Sequence, residues 1–191
     1  MGHLPSVLVW LTSLAGVAWV VLELRQSRHT RPEAHDGDRG SRSVIGVAAA
    51  VGILLAIAAR RGLPGFAIGD PVAAGWCGLG MLCAARALRQ WSFWTLGRYF
   101  TFTVRTSSDQ TVITTGPYRF VRHPAYSALL LAAAAGGLYV DNWLSLVALV
   151  AAVAAGLAHR ISVEERALSR DVGAAYRTYA LTHKRLVPFV W

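Results

Sequence analysis

Acidic residues are scarce in this chain of 191 residues: 10 Asp and Glu stand against 19 Lys and Arg, and charged residues make up only 15% of the sequence. With 54% hydrophobic residues and a mean hydropathy of +0.42, the chain has more apolar bulk than a soluble core needs, which excludes a water-soluble globule and implies one membrane domain. Cysteine is nearly missing. Cys77 and Cys83 lie six apart in one apolar run, on different faces of a helix, so they read as packing residues without a bond between them. His3, His29, His35, His123, His159 and His183 are scattered, with no paired His or Cys at ligand spacing, so no metal is expected. Gly78-Leu79-Gly80 lacks the third glycine of a dinucleotide turn and falls inside an apolar run, where it reads as a packing feature. There is no internal repeat and no low-complexity tail.

The net charge of +9 would suit nucleic acid, but the arginines fall between the apolar runs and do not form a face with interleaved aromatics. Membrane lipids with anionic headgroups are the expected partner, and nucleic acid is not.

Five apolar runs approach spanning length, at residues 4–24, 44–59, 71–88, 124–140 and 143–158, so the expected fold is all-α with about five transmembrane helices. The first run has no basic residue before it and is too long for the apolar centre of a signal peptide, so it reads as a retained span. Residues 25–43 form a polar loop with no catalytic pattern. After the third run, Trp91, Trp94, Tyr99 and Phe100, beside Arg86, Arg89 and Arg98, suit a segment lying in the headgroup layer. Thr101 to Thr115 is polar, and its Gln110-Thr111-Val112-Ile113 piece suits extended backbone. The last two runs should form a tight hairpin, because the small residues in 132–137 and 151–156 let two backbones approach closely.

Charge sets an orientation. Lys and Arg number five in the first loop, six between residues 86 and 122 and six after residue 158, whereas the other loops hold only Arg60 and Arg61. Five spans put those 17 of 19 charges on one side, which the positive-inside rule makes cytoplasmic. The N-terminus is then outside, the C-terminus cytoplasmic, and the membrane the cell (inner) membrane.

Two stretches carry chemistry. Gly116 to Tyr126 reads Gly-Pro-Tyr-Arg-Phe-Val-Arg-His-Pro-Ala-Tyr. Pro117 and Pro124 fix two φ angles and remove two amide donors, so the segment is a shaped turn that leads into the fourth span, with Pro124 in its first turn and His123 at its cap. Free amides and a ring at the water boundary would attract an anion. A basic aromatic turn could also be only a helix anchor; the ordered spacing argues for more. The second stretch follows the fifth span, where Arg160 and Glu164 share one helix face and Glu165 is adjacent. A solvated helix with an incidental ion pair is the plain alternative there.

Gly116, Tyr118, Arg122, His123, Pro124 and Tyr126 resemble the signature of the isoprenylcysteine carboxyl methyltransferase and phospholipid methyltransferase group, Gly-x-Tyr-x-x-x-Arg-His-Pro-x-Tyr-x-Gly, with Ala128 at the final glycine. Arg160, Glu164, Glu165, Leu168, Gly173, Tyr176, Tyr179, Arg185 and Pro188 resemble its second motif, so the likeness spans residues 101–188. It implies an integral-membrane methyltransferase using S-adenosylmethionine. Gln110, Thr111, Val112, Ile113, Tyr118, His123, Pro124, Ala125, Tyr126 and Glu164 would bind the cofactor, and Arg160 would be the catalytic, substrate-binding residue. The acceptor would be the carboxylate of a prenylated cysteine or similar lipophilic compound entering from the bilayer. A phospholipid amine N-methyltransferase shares the first motif and the Glu pair. Sterol-reductase-like membrane oxidoreductases, which use NADPH, resemble the C-terminal region but typically carry Asn where this chain has Ala125. A non-enzymatic membrane scaffold is the remaining class. The soluble methyltransferase fold is excluded, because nothing reads as strand, glycine-rich turn and helix in series.

Overall fold

The computed structural model describes residues 4–27, 35–36, 40–97, 105–106 and 112–188, so the expected segments around Arg98, Tyr99 and Phe100 and the site candidates Gln110 and Thr111 lie outside the described residues. Its helices are α1 (Ser6–Ser27), α2 (Ser41–Gly62), α3 (Pro71–Leu96), α4 (Pro124–Tyr139), α5 (Trp143–Asp171) and α6 (Ala174–Thr182), with short 3₁₀ turns at Pro64–Phe66 and Gly116–Arg119. A two-residue antiparallel ladder, His35–Asp36 against Arg105–Thr106, is the one pairing of strands among the described residues.

Four helices, α1, α2, α3 and α5, are long and apolar enough to cross a membrane, and α4 is a shorter apolar helix. The protein is an all-α integral membrane protein. Helix α3 begins where Asp70 caps it, its carboxylate accepting from the amides of Val72 and Ala73 at 3.0 Å, with Pro71 in the first helical position. It continues to Leu96, eight residues past the expected end, because no breaker intervenes before Gly97, which takes a positive φ of 52°. Trp91 and Trp94 therefore ride on one continuous helix and do not belong to a separate interfacial segment.

The lengths of α4 and α5 set the site. At about 1.5 Å per residue, the 29 residues of α5 outrun the 16 of α4 by 13 residues, or roughly 20 Å. The two form a hairpin across Asp141-Asn142, so the excess of α5 emerges beyond the start of α4 and carries Arg160, Glu164 and Glu165 to the level of the Gly116–Tyr126 turn and past it. The apolar spine is Leu149, Val153, Leu157 and Ile161 of α5, packed with Ala133 of α4 and Leu186 from the C-terminal segment.

Small residues bring the helices together as expected of a membrane bundle, but not all on one pair. A Cβ added to Gly137 of α4 would lie 2.4 Å from the Cα of Leu146 in α5. Gly156 faces α2 instead, where a Cβ would meet Ala48 at 2.9 Å, and Gly78 of α3 faces the Ala135 carbonyl of α4 at 2.8 Å. Gly80 has no such neighbour within 4 Å. Ala128 is fully buried, so the methyl that replaces the signature's last glycine is accommodated inside the bundle.

Candidate active site

The turn before α4 starts at Gly116, whose φ is +57° and whose added Cβ would sit 2.6 Å from the Thr95 hydroxyl, so glycine is required twice over. A 3₁₀ turn follows through Arg119, and His123 occupies the N-cap of α4 with Pro124 in the first helical position. One expectation is overturned here. The amides of Arg122 and His123 are not free for an anion: they donate to the carbonyls of Lys184 and Arg185 at 2.8 and 3.0 Å. The C-terminal segment lies along the turn, bridged at Val121 and Lys184, and Ser127 donates to the Leu186 carbonyl at 2.6 Å. Backbone groups in so packed a place must be paired within the protein, and a neighbouring strand of chain does it.

Side chains knit the same elements. Glu165 of α5 accepts from His123 Nε2 at 3.2 Å and from Arg185 Nε and Nη2 at 3.1 and 2.9 Å, and it forms an ion pair with Arg122 Nη1 at 3.2 Å. A carboxylate only accepts, so the proton of that His123 bond sits on Nε2. Three cationic or polar groups from two chain segments thus converge on one carboxylate; both Arg185 nitrogens meet Oε2, and Nε also reaches Oε1 at 3.3 Å. His123 is 5% exposed, which places it in this knot and not at the water boundary.

A second relay is built on Tyr126. Its hydroxyl donates to Glu164 Oε2 at 2.7 Å and accepts from Arg160 Nε at 2.7 Å. The Arg160 guanidinium lies 5.9 Å from the Tyr126 ring centroid, and the His123 ring stacks on that ring at 5.5 Å between centroids. Arg160 is 4% exposed and Glu164 is half-buried. The i, i+4 spacing of Arg160 and Glu164 does put both on one face, and a phenol from α4 stands between them.

Tyr118 is buried, and its carbonyl accepts the Tyr179 hydroxyl at 2.6 Å. Burial first, and then the nearby Glu164 carboxylate, push the Tyr118 phenol well above its ordinary range, so it stays protonated. The Tyr176 phenol is pushed up by burial and by Glu165. The hydrogen bond to Glu165 raises the Arg185 guanidinium further above its usual value. Two buried polar atoms here have no hydrogen-bond partner among the described residues, Arg122 Nε and the Tyr176 hydroxyl.

The structure therefore brings Tyr118, His123, Pro124, Ala125, Tyr126, Arg160 and Glu164 into one region. Val112 and Ile113 are half-buried in the irregular segment that leads to Gly116. Glu165, Arg122 and Arg185 were legible as motif members but not as the knot that holds the turn. Arg89 of α3, which donates to the Ala125 carbonyl at 2.8 Å, has no motif signal, because the partner it meets in this turn is a backbone atom. Among the described residues no group of three or more His, Cys, Asp or Glu could hold a metal ion.

Residues 78–170 match the family model described as "Isoprenylcysteine carboxyl methyltransferase (ICMT) family". Protein-S-isoprenylcysteine O-methyltransferase B of Arabidopsis thaliana is 33% identical over 115 residues, covering 59% of this chain and 58% of that protein. A probable protein-S-isoprenylcysteine O-methyltransferase of Oryza sativa subsp. indica is 32% identical over 117 residues, covering 60% of this chain and 61% of that protein. The chain thus spans about three fifths of the curated relatives it matches. The eukaryotic intramembrane Ras methyltransferase ICMT shares the fold with a TM-score of 0.60 at 24% identity, over 76% of this chain and 52% of that one. The family resemblance carried by the two motifs is borne out over the matched residues, which hold the whole Arg-His turn and the Arg160–Glu165 part of α5.

Proposed function

We propose that this chain, whose residues 78–170 carry the isoprenylcysteine carboxyl methyltransferase pattern, is an S-adenosylmethionine-dependent methyltransferase that O-methylates the carboxylate of a prenylated cysteine or similar lipophilic acceptor. The observation that carries this reading is the Arg160–Tyr126–Glu164 relay, which keeps a buried guanidinium and a carboxylate 2.7 Å either side of one hydroxyl, beside the Glu165 knot.

The residues fit the cofactor. A zwitterionic amino-acid head needs donors for its carboxylate and an acceptor for its amine, and the unpartnered Arg122 Nε and Tyr176 hydroxyl supply donors while half-buried Glu164 supplies the acceptor. Gln110 to Ile113, Tyr118 and His123 to Tyr126 complete the set by resemblance. S-adenosylmethionine, when bound, supplies a methyl group on a sulfonium. The chain's own task is to hold the acceptor oxygen in line behind it and to exclude water. A carboxylate is already ionised at neutral pH, so it needs no base. Arg160 suits it by charge and by fork geometry. That cation also disfavours the amine reading, because it would repel a protonated amine on arrival.

A groove of about 500 Å³ between α1 and α3, lined by Ala15, Ala18, Leu22, Leu82, Cys83 and Ala87, ends at Arg86, Gln90 and Trp94 and supports entry of a lipophilic tail from the bilayer side. With α4 counted as a fifth, short span, the basic loops share the cytoplasmic side of the cell (inner) membrane and the N-terminus is outside. Reporter fusions at Gly2 and Trp191 check this; the same side for both refutes five spans. Binding of labelled S-adenosylmethionine against NADPH to purified protein tests the cofactor. Turnover on a prenylcysteine analogue against a phosphatidylethanolamine analogue tests the acceptor. NADPH binding alone moves the chain to the reductase class, and activity on the amine alone moves it to the phospholipid methyltransferases.

A further inference from the structure

Glu23 is the only acidic residue in α1, and it sits in a helix otherwise suited to lipid. An ionised carboxylate in such a place is costly unless it is paired and useful. Its partner is Arg89 of α3, which is 7% exposed. Arg89 Nε bonds Glu23 Oε1, and Arg89 Nη2 donates to Glu23 Oε2 at 3.1 Å. The guanidinium has one further direction. Nη1 donates to the carbonyl of Ala125 at 2.8 Å, and the Phe93 ring lies 4.8 Å from the guanidinium carbon.

Ala125 stands between His123 and Tyr126 in the first turn of α4. From α5 that turn is held through the side chains of His123 and Tyr126. From α3 it is held by Arg89, through a main-chain atom. We propose that Arg89, oriented by Glu23, is a positioning residue: it fixes the height and rotation of the first turn of α4 and so keeps the Tyr126 hydroxyl between Arg160 and Glu164. The residues before 78, which the family match leaves out, thereby contribute to the site through α1. This role rests on the methyltransferase reading only for its effect on turnover; the geometric claim stands without it.

An ion pair that merely docks α1 on α3 works in either direction. A positioning guanidinium does not, because a carboxylate at position 89 would repel the Ala125 carbonyl. The double exchange Glu23→Arg with Arg89→Glu separates the two. The probe is 3-fluorotyrosine placed at position 126, whose ¹⁹F resonance reads the surroundings of the hydroxyl with no cofactor present. Labelled S-adenosylmethionine binding is measured alongside.

In the exchanged protein the melting temperature should return to within a few degrees of the parent, the resonance should be displaced, and cofactor affinity should be about tenfold weaker, the order of one lost hydrogen bond. Recovery of resonance and affinity together with stability overturns the proposal and leaves a docking pair. If the exchanged protein does not fold, Glu23→Leu carries the test, since it keeps the guanidinium and removes both acceptor oxygens that orient it. A displaced resonance supports the role, and an unchanged one overturns it. If the parent binds no S-adenosylmethionine, the methyltransferase reading fails by itself, and the resonance still decides whether Arg89 positions Tyr126.

Discussion

The α4–α5 pair carries a polar cluster at each end, and the two are built differently. At the hairpin end, Asn142 is fully buried; its side-chain oxygen accepts the Ser145 amide at 3.0 Å and its amide donates to the Leu63 carbonyl at 3.1 Å. Ser145 donates to the Ala56 carbonyl at 2.7 Å. These groups are neutral, and they end on the backbone of α2 and its C-cap. At the other end the contacts run to charged side chains: Glu165 pairs with Arg122 and bonds His123 and Arg185, and the Tyr126 hydroxyl bonds Arg160 and Glu164. A neutral clamp that ends on backbone fastens helices at modest desolvation cost. A charged cluster in the same bundle costs far more to bury, and this one keeps donor atoms at Arg122 and Tyr176 that the described residues leave unpaired. The hairpin end has one unpaired buried atom of its own among the described residues, but it is an acceptor, Asp141 Oδ1. One end is a fastener; the other keeps two unpaired donors that the proposed cofactor would use.

Removing the carboxylate at the centre of the charged end should have the largest effect. Glu165→Gln leaves two guanidinium groups and His123 facing an amide, and the expected loss is on the order of 3 kcal/mol, read from reversible unfolding in detergent, together with loss of cofactor binding. A loss below that of the hairpin-end variant described below would mean that Glu165 is only solvated surface. Next comes Arg160→Lys, which keeps the charge but cannot copy the guanidinium's fork. It should lower turnover on a carboxylate acceptor about a hundredfold while cofactor affinity changes little. Full activity of Arg160→Gln on that acceptor would end the assignment.

How much of this was legible beforehand divides along the same line. The helices are readable from apolar runs, and the end of α3 is not, because aromatic residues at 91 and 94 suggest an interface where the helix has no reason to stop. His123, Tyr126, Arg160 and Glu164 were reachable from spacing and family likeness. What spacing could not show was the role of main-chain partners: the Arg122 and His123 amides are taken by the Lys184 and Arg185 carbonyls, and Arg89 acts on the Ala125 carbonyl. A backbone acceptor leaves no trace in residue type. The parallel run of residues 184–186 beside the turn is likewise a long-range pairing with no local pattern, so His123 reads as a water-boundary residue in sequence and is buried in the structure.

The comparison sharpens with the hairpin end. Asn142→Ala removes a helix cap and the bond to Leu63 and should cost about 1–2 kcal/mol, with kcat and cofactor affinity unchanged because the fastener lies at the far end of α5. A fall in kcat at unchanged stability would show that the two ends are coupled and that the distinction between them is wrong.

The smallest effect is expected in α6, where Tyr179 ties the C-terminal region to the turn by donating to the Tyr118 carbonyl at 2.6 Å. Burial pushes its phenol up to about 12 from 10.0, against a smaller lowering by Arg122. A folded-state value above the unfolded one means that the folded protein holds the proton more tightly. The associated stability is fully present below pH 10 and is lost as the pH rises from 10 to about 12. Tyr179→Phe should therefore cost about 1 kcal/mol near neutral pH through the lost hydrogen bond, and the gap to the parent should narrow as the pH rises through that window. Tyr118 and Tyr176 are raised as well, so the variant should flatten the alkaline slope without abolishing it. Unfolding measured at intervals between pH 8 and pH 12, in parent and variant, reads the difference directly. A constant gap across the window would mean that the Tyr179 hydroxyl titrates as freely as in the unfolded chain, and that the turn is held by Glu165 and the backbone pairing alone.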